Sequence, residues 1–157
     1  MSMFSQTAEY ALRVAAFLGS LDGRPATIRQ IHTATQVPEG YLAKVLQALG
    51  RARLIKSQRG LHGGSVLSVP PSQLSIYDVM QAVAPFQRIT ECPLNLKSHA
   101  TVLCPVHKRL DQALNMVEQV LRKSTIAELL AESTTSKPLC ETPAEEKPTS
   151  VRIRRRR

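Results

Sequence analysis

The sequence predicts a mainly α-helical chain with one small β-hairpin, ordered as a winged helix-turn-helix followed by a long C-terminal dimerisation helix. Three observations predict it. Apolar residues recur at spacings of three and four through most of residues 5–51. Two short strand-like runs then flank a glycine-rich segment, Gln58-Arg59-Gly60-Leu61-His62-Gly63-Gly64. A later segment, near residues 106–123, carries an apolar stripe that those elements do not need for their own core.

In order along the chain, Ala8, Ala11, Leu12, Ala15 and Leu18 mark a helix from Ser5 to about Ser20, which Leu21-Asp22-Gly23 stops. Thr27 with Gln30 forms a capping box for a short second helix with Ile28 and Ile31 inward. Pro38 suits the first turn of a third helix, running to about Arg51 and burying Leu42, Val45, Leu46 and Leu49. Its other face presents Gly40, Tyr41, Lys44, Gln47 and Arg51, side chains suited to phosphates and base edges. Periodicity alone does not separate this pair from an ordinary helical hairpin. The runs Leu54–Ser57 and Ser65–Val69 shift the balance, because a hairpin after such a helix is a wing. An Arg at its tip can enter a narrow minor groove. A phosphate-binding loop is the other meaning of such glycines, but the Lys-Ser/Thr pair is missing and no helix opens there.

After Pro70-Pro71, Ser75 caps a helix from Ile76 to about Val83, with Asp78 favoured by the helix dipole and Leu74 placed to staple onto Val79. The long helix, Val106 to Lys123, aligns Leu110, Ala113, Leu114, Val117, Val120 and Leu121, and a twofold-related copy is the simplest cover for them. Thr125 with Glu128 caps a last short helix to Ala131. The expected organisation is 1–90 winged domain, 91–105 cysteine-containing sensor loop, 106–132 dimerisation and terminal helices, and 133–157 a disordered basic tail.

Charge names the partner class. The 157 residues hold 21 Lys+Arg and 12 Asp+Glu, a formal net charge of +9, which points to a polyanion, most simply nucleic acid. A ribosome-associated or merely basic protein would share that balance. Residues 1–90 carry +5, residues 91–132 are neutral, and residues 133–157 carry +4, concentrated in the terminal arginines. No apolar run approaches the roughly 18 residues that span a bilayer, and no signal-peptide pattern opens the chain, so a cytoplasmic location is expected. Three cysteines do not make a disulfide scaffold. No nucleophile–base pair points to an enzyme.

The stretches SQTAEYALRVAAFL, TIRQIHTATQVPEGYLAKVLQALGRARLIKSQRGLHGGSVLS and LSIYDVMQAV closely resemble the Rrf-two-type bacterial transcription regulators (IscR-, NsrR-, RirA- and CymR-like), over about residues 3–132. The YLAKVLQ helix and the SQRGLHGG wing carry most of the resemblance. It implies a homodimer on a palindromic double-stranded DNA operator, most simply a repressor. By position it implies base or phosphate contacts from Pro38, Glu39, Tyr41, Lys44 and Gln47, and from Ser57, Arg59, Gly60, His62, Gly63 and Gly64 of the wing.

Cluster-binding members of the family carry three cysteines between the wing and the long helix. Here Cys92 and Cys104 match the outer two, Ser98 stands at the middle position, and His107 matches a histidine ligand. The resemblance therefore implies a [2Fe–2S] cluster on Cys92, Cys104 and His107, completed by His99 or by Glu9 of the other protomer. The same donors suit zinc, and the two cysteines alone suit a thiol pair controlled by oxidation. Control by a partner protein is a further cluster-free alternative. Cys140 falls in the tail, and His32 is expected to be a surface residue.

Overall fold

The computed structural model describes residues 4–60, 63–85, 87–93 and 102–132. Helix α1 (Gln6–Gly19) is capped by Ser5, whose side chain accepts from the Ala8 N–H. It ends at a turn in which Asp22 and Gly23 take positive φ. Helix α2 (Ile28–Thr35) opens on the expected capping box: the Thr27 N–H donates to Gln30 Oε1 at 2.9 Å, and the Gln30 N–H to Thr27 Oγ1 at 3.3 Å. Helix α3 (Glu39–Arg51) follows, with Pro38 at its N-cap rather than inside its first turn.

Strands β1 (Ile55–Gln58) and β2 (Gly64–Leu67) pair antiparallel, with Ile55 opposite Leu67 and Gln58 opposite Gly64. Ala26, in the segment before α2, bridges the other edge of β2: its N–H donates to Ser65 O at 2.9 Å, and the Ser65 N–H returns to Ala26 O at 2.8 Å. The hairpin is thus tied to the helical body along one strand, a link that hydrophobic periodicity does not encode.

A 3-10 turn (Pro71–Gln73) leads to α4 (Ile76–Val83), α5 (Pro105–Lys123) and α6 (Ile126–Ala131). The core joins Val14 and Leu18 of α1, Ile31 of α2, Leu42, Val45 and Leu49 of α3, Ile55 of β1, and Leu74 and Val79 around α4. Leu46, expected inside, is only half-buried, and Ile28, also expected inside, is exposed at the first turn of α2. Ile126 of α6 belongs to this core and is fully buried. Helix α6 returns against α1 at Gly19, where a Cβ would stand 3.1 Å from Ile126 Cγ2 and 3.2 Å from Leu130 Cδ1. The winged fold is therefore closed by residues that follow the long helix, because two short hydrogen bonds, Ile76 N to Ser124 O and Ile126 N to Leu74 O, fasten the start of α6 to the start of α4.

Helix α5 buries none of its residues. Its stripe divides. Leu114, Val117 and Leu121 are half-buried, while Val106, Leu110, Met116 and Val120 are exposed. Met116, absent from the periodic set, belongs to the open side because its neighbours Asn115 and Glu118 face the body. There Arg88 donates from Nε and Nη2 to Asp111 at 2.7 and 2.6 Å and from Nη1 to Asn115 at 2.7 Å, and the Ile89 N–H meets Asp111 at 3.0 Å. Arg122 pairs with Glu118 at 2.8 Å and lies 3.6 Å from the centre of the Tyr77 ring. The hydrogen bonds from Arg88 hold the Asp111 carboxyl below the usual carboxylate range.

Candidate nucleic-acid interface

The interface begins with the helical phase of α3. Leu42, Val45 and Leu49 point into the core, so Pro38, Glu39, Gly40, Tyr41, Lys44 and Gln47 are all turned to solvent. Tyr41 stays half-exposed although two neighbours order it. Tyr10 of α1 meets its ring edge-on at 5.8 Å, and Lys44 Nζ sits 5.9 Å from its centre. Tyr10 is a part of the site that sequence inspection missed; its spacing from Tyr41 is set by the packing of α1 on α3.

A shallow groove runs from α3 to the wing, lined by Ile28, Ala43, Gln47, Gly50, Lys56 and Ser57 among others. Beyond Ser57 the exposed wing carries Gln58, Arg59 and Gly60. His62 lies outside the described residues. Among the described residues, no acid pairs with Lys44, Lys56 or Arg59; in residues 1–90 only Arg13 and Arg88 form ion pairs. The excess charge of this half is therefore available to an outside anion.

The three wing glycines have internal reasons to be glycine. Gly60 holds φ +113°, and the Gly63 N–H closes the tip by donating to Gly60 O at 2.9 Å. A Cβ on Gly63 would fall 2.4 Å from Gln58 O, and one on Gly64 2.4 Å from Ala26 O.

The helix-turn-helix turn is held by polar side chains. Gln36 takes a left-handed φ of 55°, and its N–H donates to His32 O at 2.9 Å. Arg13 of α1 donates from Nη1 to Thr35 O at 3.3 Å, and His32 Nδ1 lies 2.7 Å from Val37 O. His32 is thus half-buried and bonded rather than a free surface residue, because the turn brings the Val37 carbonyl to its Nδ1.

The expected ligand residues are less united. Cys104 caps α5, and its Sγ lies 3.4 Å from His107 Nδ1 one turn on. Cys92 is buried, and neither Cys92 nor Cys104 is in a disulfide. Glu9 is engaged within its own protomer by Arg13. Ser98 and His99, like Cys140 and the tail, lie outside the described residues. Among the described residues no three His, Cys, Asp or Glu side chains come close enough to hold a metal ion. Two of the expected donors are together; by themselves the described residues do not form a cluster site. No helix among the described residues is long and apolar enough to cross a membrane.

This arrangement is similar to known proteins across most of its length. The Rrf2 family model, described as an iron-dependent transcriptional regulator, matches residues 4–132. The chain is 34% identical over 128 residues to the HTH-type transcriptional regulator NsrR of Geobacillus kaustophilus, covering 78% of this chain and 85% of that one. Its fold is similar to that of CymR, the global cysteine regulator of B. subtilis, with a TM-score of 0.65 and 24% identity over 82% of this chain and 96% of that one. It is also similar to T. potens IscR, with a TM-score of 0.69 and 21% identity over 85% and 89% of the two chains. These relatives are regulators rather than enzymes, and the chain belongs to the Rrf2 family of transcriptional regulators.

Proposed function

We propose that the protein binds a palindromic operator as a homodimer, with α3 in the major groove and the wing against the adjacent backbone or minor groove, and that it acts as a repressor. The observation that carries this is the single solvent face of Tyr41, Lys44 and Gln47 continuing into a wing whose Lys56 and Arg59 have no acidic partner among the described residues. Pro38, Glu39, Ser57, Gly60, His62, Gly63 and Gly64 would flank these contacts. Dimerisation is supported by Val106, Leu110, Met116 and Val120, an exposed apolar face on a helix with no buried residue. Such a dimer would present its recognition helices to half-sites about 34–36 Å apart.

The experiment is a salt titration of binding to a duplex selected from a random library by the wild-type protein. Each phosphate contact contributes about 0.9 to the slope of log affinity against log salt. Lys44→Ala removes two such contacts per dimer, so the slope should fall by about 1.8 with a broad loss of affinity. Unchanged affinity and slope would reject this docking.

The 91–105 loop with His107 is the proposed sensing element, responding to iron–sulfur, nitric-oxide or redox status. A [2Fe–2S] cluster there would draw on Cys104 and His107, with Cys92 and either His99 or Glu9 of a second copy completing four ligands. Glu9 would have to leave Arg13 to serve. The contact of two free donors, Cys104 and His107, equally supports a cluster-free protein controlled at its thiols.

A further inference from the structure

We propose that Arg13 and His32 are positioning residues for sequence reading: they hold two carbonyls of the turn that leads into α3. The inference rests on the DNA-reading function proposed above.

The reason lies in how α3 begins. Its N-cap is Pro38, which has no side-chain hydrogen bond to the helix. Leu42, Val45 and Leu49 pack its inner face, and its N-terminal end depends on the turn that precedes it. Thr35 Oγ1 donates back to Ile31 O at 2.7 Å, and Gln36 Nε2 to Thr33 O at 2.7 Å, so α2 is closed by its own side chains. Two of the turn carbonyls, Thr35 O and Val37 O, take partners from outside the turn. Arg13 reaches Thr35 O from α1, and His32 reaches Val37 O from the preceding helix. A carbonyl only accepts, so Nδ1 of His32 carries the proton here, in either charge state of the ring.

Arg13 holds this place at a cost. Its Nε is buried without a hydrogen-bond partner, while its two terminal nitrogens serve Glu9 and Thr35 O. A residue that only stabilised α1 through the Glu9 pair would not need the second reach. Arg13 and His32 stand on α1 and α2 and act through the turn, so neither has to touch DNA. Releasing a clamp loosens the N-terminal end of α3. Base contacts then suffer, while attraction of the unpaired cations to phosphates does not.

Asn and Leu at position 32 share a shape, but only Asn can donate to Val37 O. Full-length His32→Asn and His32→Leu are compared on the library-selected duplex and on an unrelated duplex of equal length. Losing one such bond is worth a few-fold per half-site, so about tenfold for a dimer. His32→Leu should lose about tenfold on the selected duplex and keep its affinity for the unrelated one. His32→Asn should stay within about twofold of wild type on both. Arg13→Lys keeps the charge beside Glu9 but cannot also hold Thr35 O, and should lose selectivity in the same sense. Asn and Leu variants that bind alike would overturn the inference, as would a Leu variant that weakens on both duplexes equally. A wild type that enriches no sequence would instead overturn the DNA-reading function itself, and this inference with it.

Discussion

Replacing Gly64 by Ala separates the two roles that glycine could have in the wing. The added Cβ would stand 2.4 Å from Ala26 O, 2.5 Å from Ala26 C and 3.0 Å from Ala26 N, all backbone atoms with no rotamer to yield. Ordinary contact begins near 3.4 Å, so the strands must part by about 1 Å. That separation breaks or stretches the two hydrogen bonds between Ala26 and Ser65, now 2.9 and 2.8 Å. At about 0.5–1.5 kcal/mol each, their loss costs about 1–3 kcal/mol, a substantial part of the ~5–15 kcal/mol that holds a domain together. Urea denaturation followed by circular dichroism measures it as a lower midpoint at unchanged slope. Gly50→Ala is the control: a Cβ there meets nothing within 4 Å, and its position inside α3 should make Ala stabilising by up to about 1 kcal/mol. If Gly64→Ala stays within about 0.5 kcal/mol of wild type, the packing argument is wrong. Preserved stability with lost operator affinity would assign the glycine to the duplex instead.

Three further outcomes follow from the geometry. Asp111 is held below the ordinary carboxylate range by Arg88, so its contribution to docking α5 is complete above an unfolded-state value of about 4 and is lost as pH falls through the lower folded value. The stability difference between wild type and Asp111→Asn should therefore be constant near neutrality and vanish only in that acid range; a difference that vanishes near neutrality would refute the pairing. Val120→Glu places a charge on the exposed face of α5 and should shift sedimentation from dimer to monomer while circular dichroism is unchanged; a dimer that persists would move the interface elsewhere. Anaerobically purified protein should show visible absorption, with iron and sulfide in equal amounts, if the loop holds a [2Fe–2S] cluster, and Cys104→Ser should abolish it. A colourless protein with full operator affinity would leave thiol control as the reading.

Most of the element order was legible because it is local. The capping boxes at Thr27 and Thr125 join residues three apart, and both form as the spacing requires; Ser75 caps α4 as expected, and Asp78, expected there for the helix dipole, completes a third box. The inward face of α3 follows from a period of 3.6, which is why Tyr41, Lys44 and Gln47 could be named for the outer face in advance. Arg88 was only half legible: Asp111, Asn115 and Glu118 share one helical face, a polar stripe that asks for a cation, but nothing local says which one. His32 was misplaced because its partner, Val37 O, is brought back by a left-handed Gln36, a conformation its residue type does not announce.

The sequence by itself determined the helices, the hairpin, the charge that points to a polyanion, and the outward face of α3. Each depends on residues within about one turn of one another. The tertiary structure alone decided that α6 closes the core through Ile126, that Ala26 fastens the wing at Ser65, and that Arg13 holds the turn 22 residues away. It also decided that Cys104 and His107 adjoin, while no three of the expected ligands gather among the described residues. Those contacts join distant parts of the chain, and their energies depend on ångström-level approach, which spacing along a sequence does not specify.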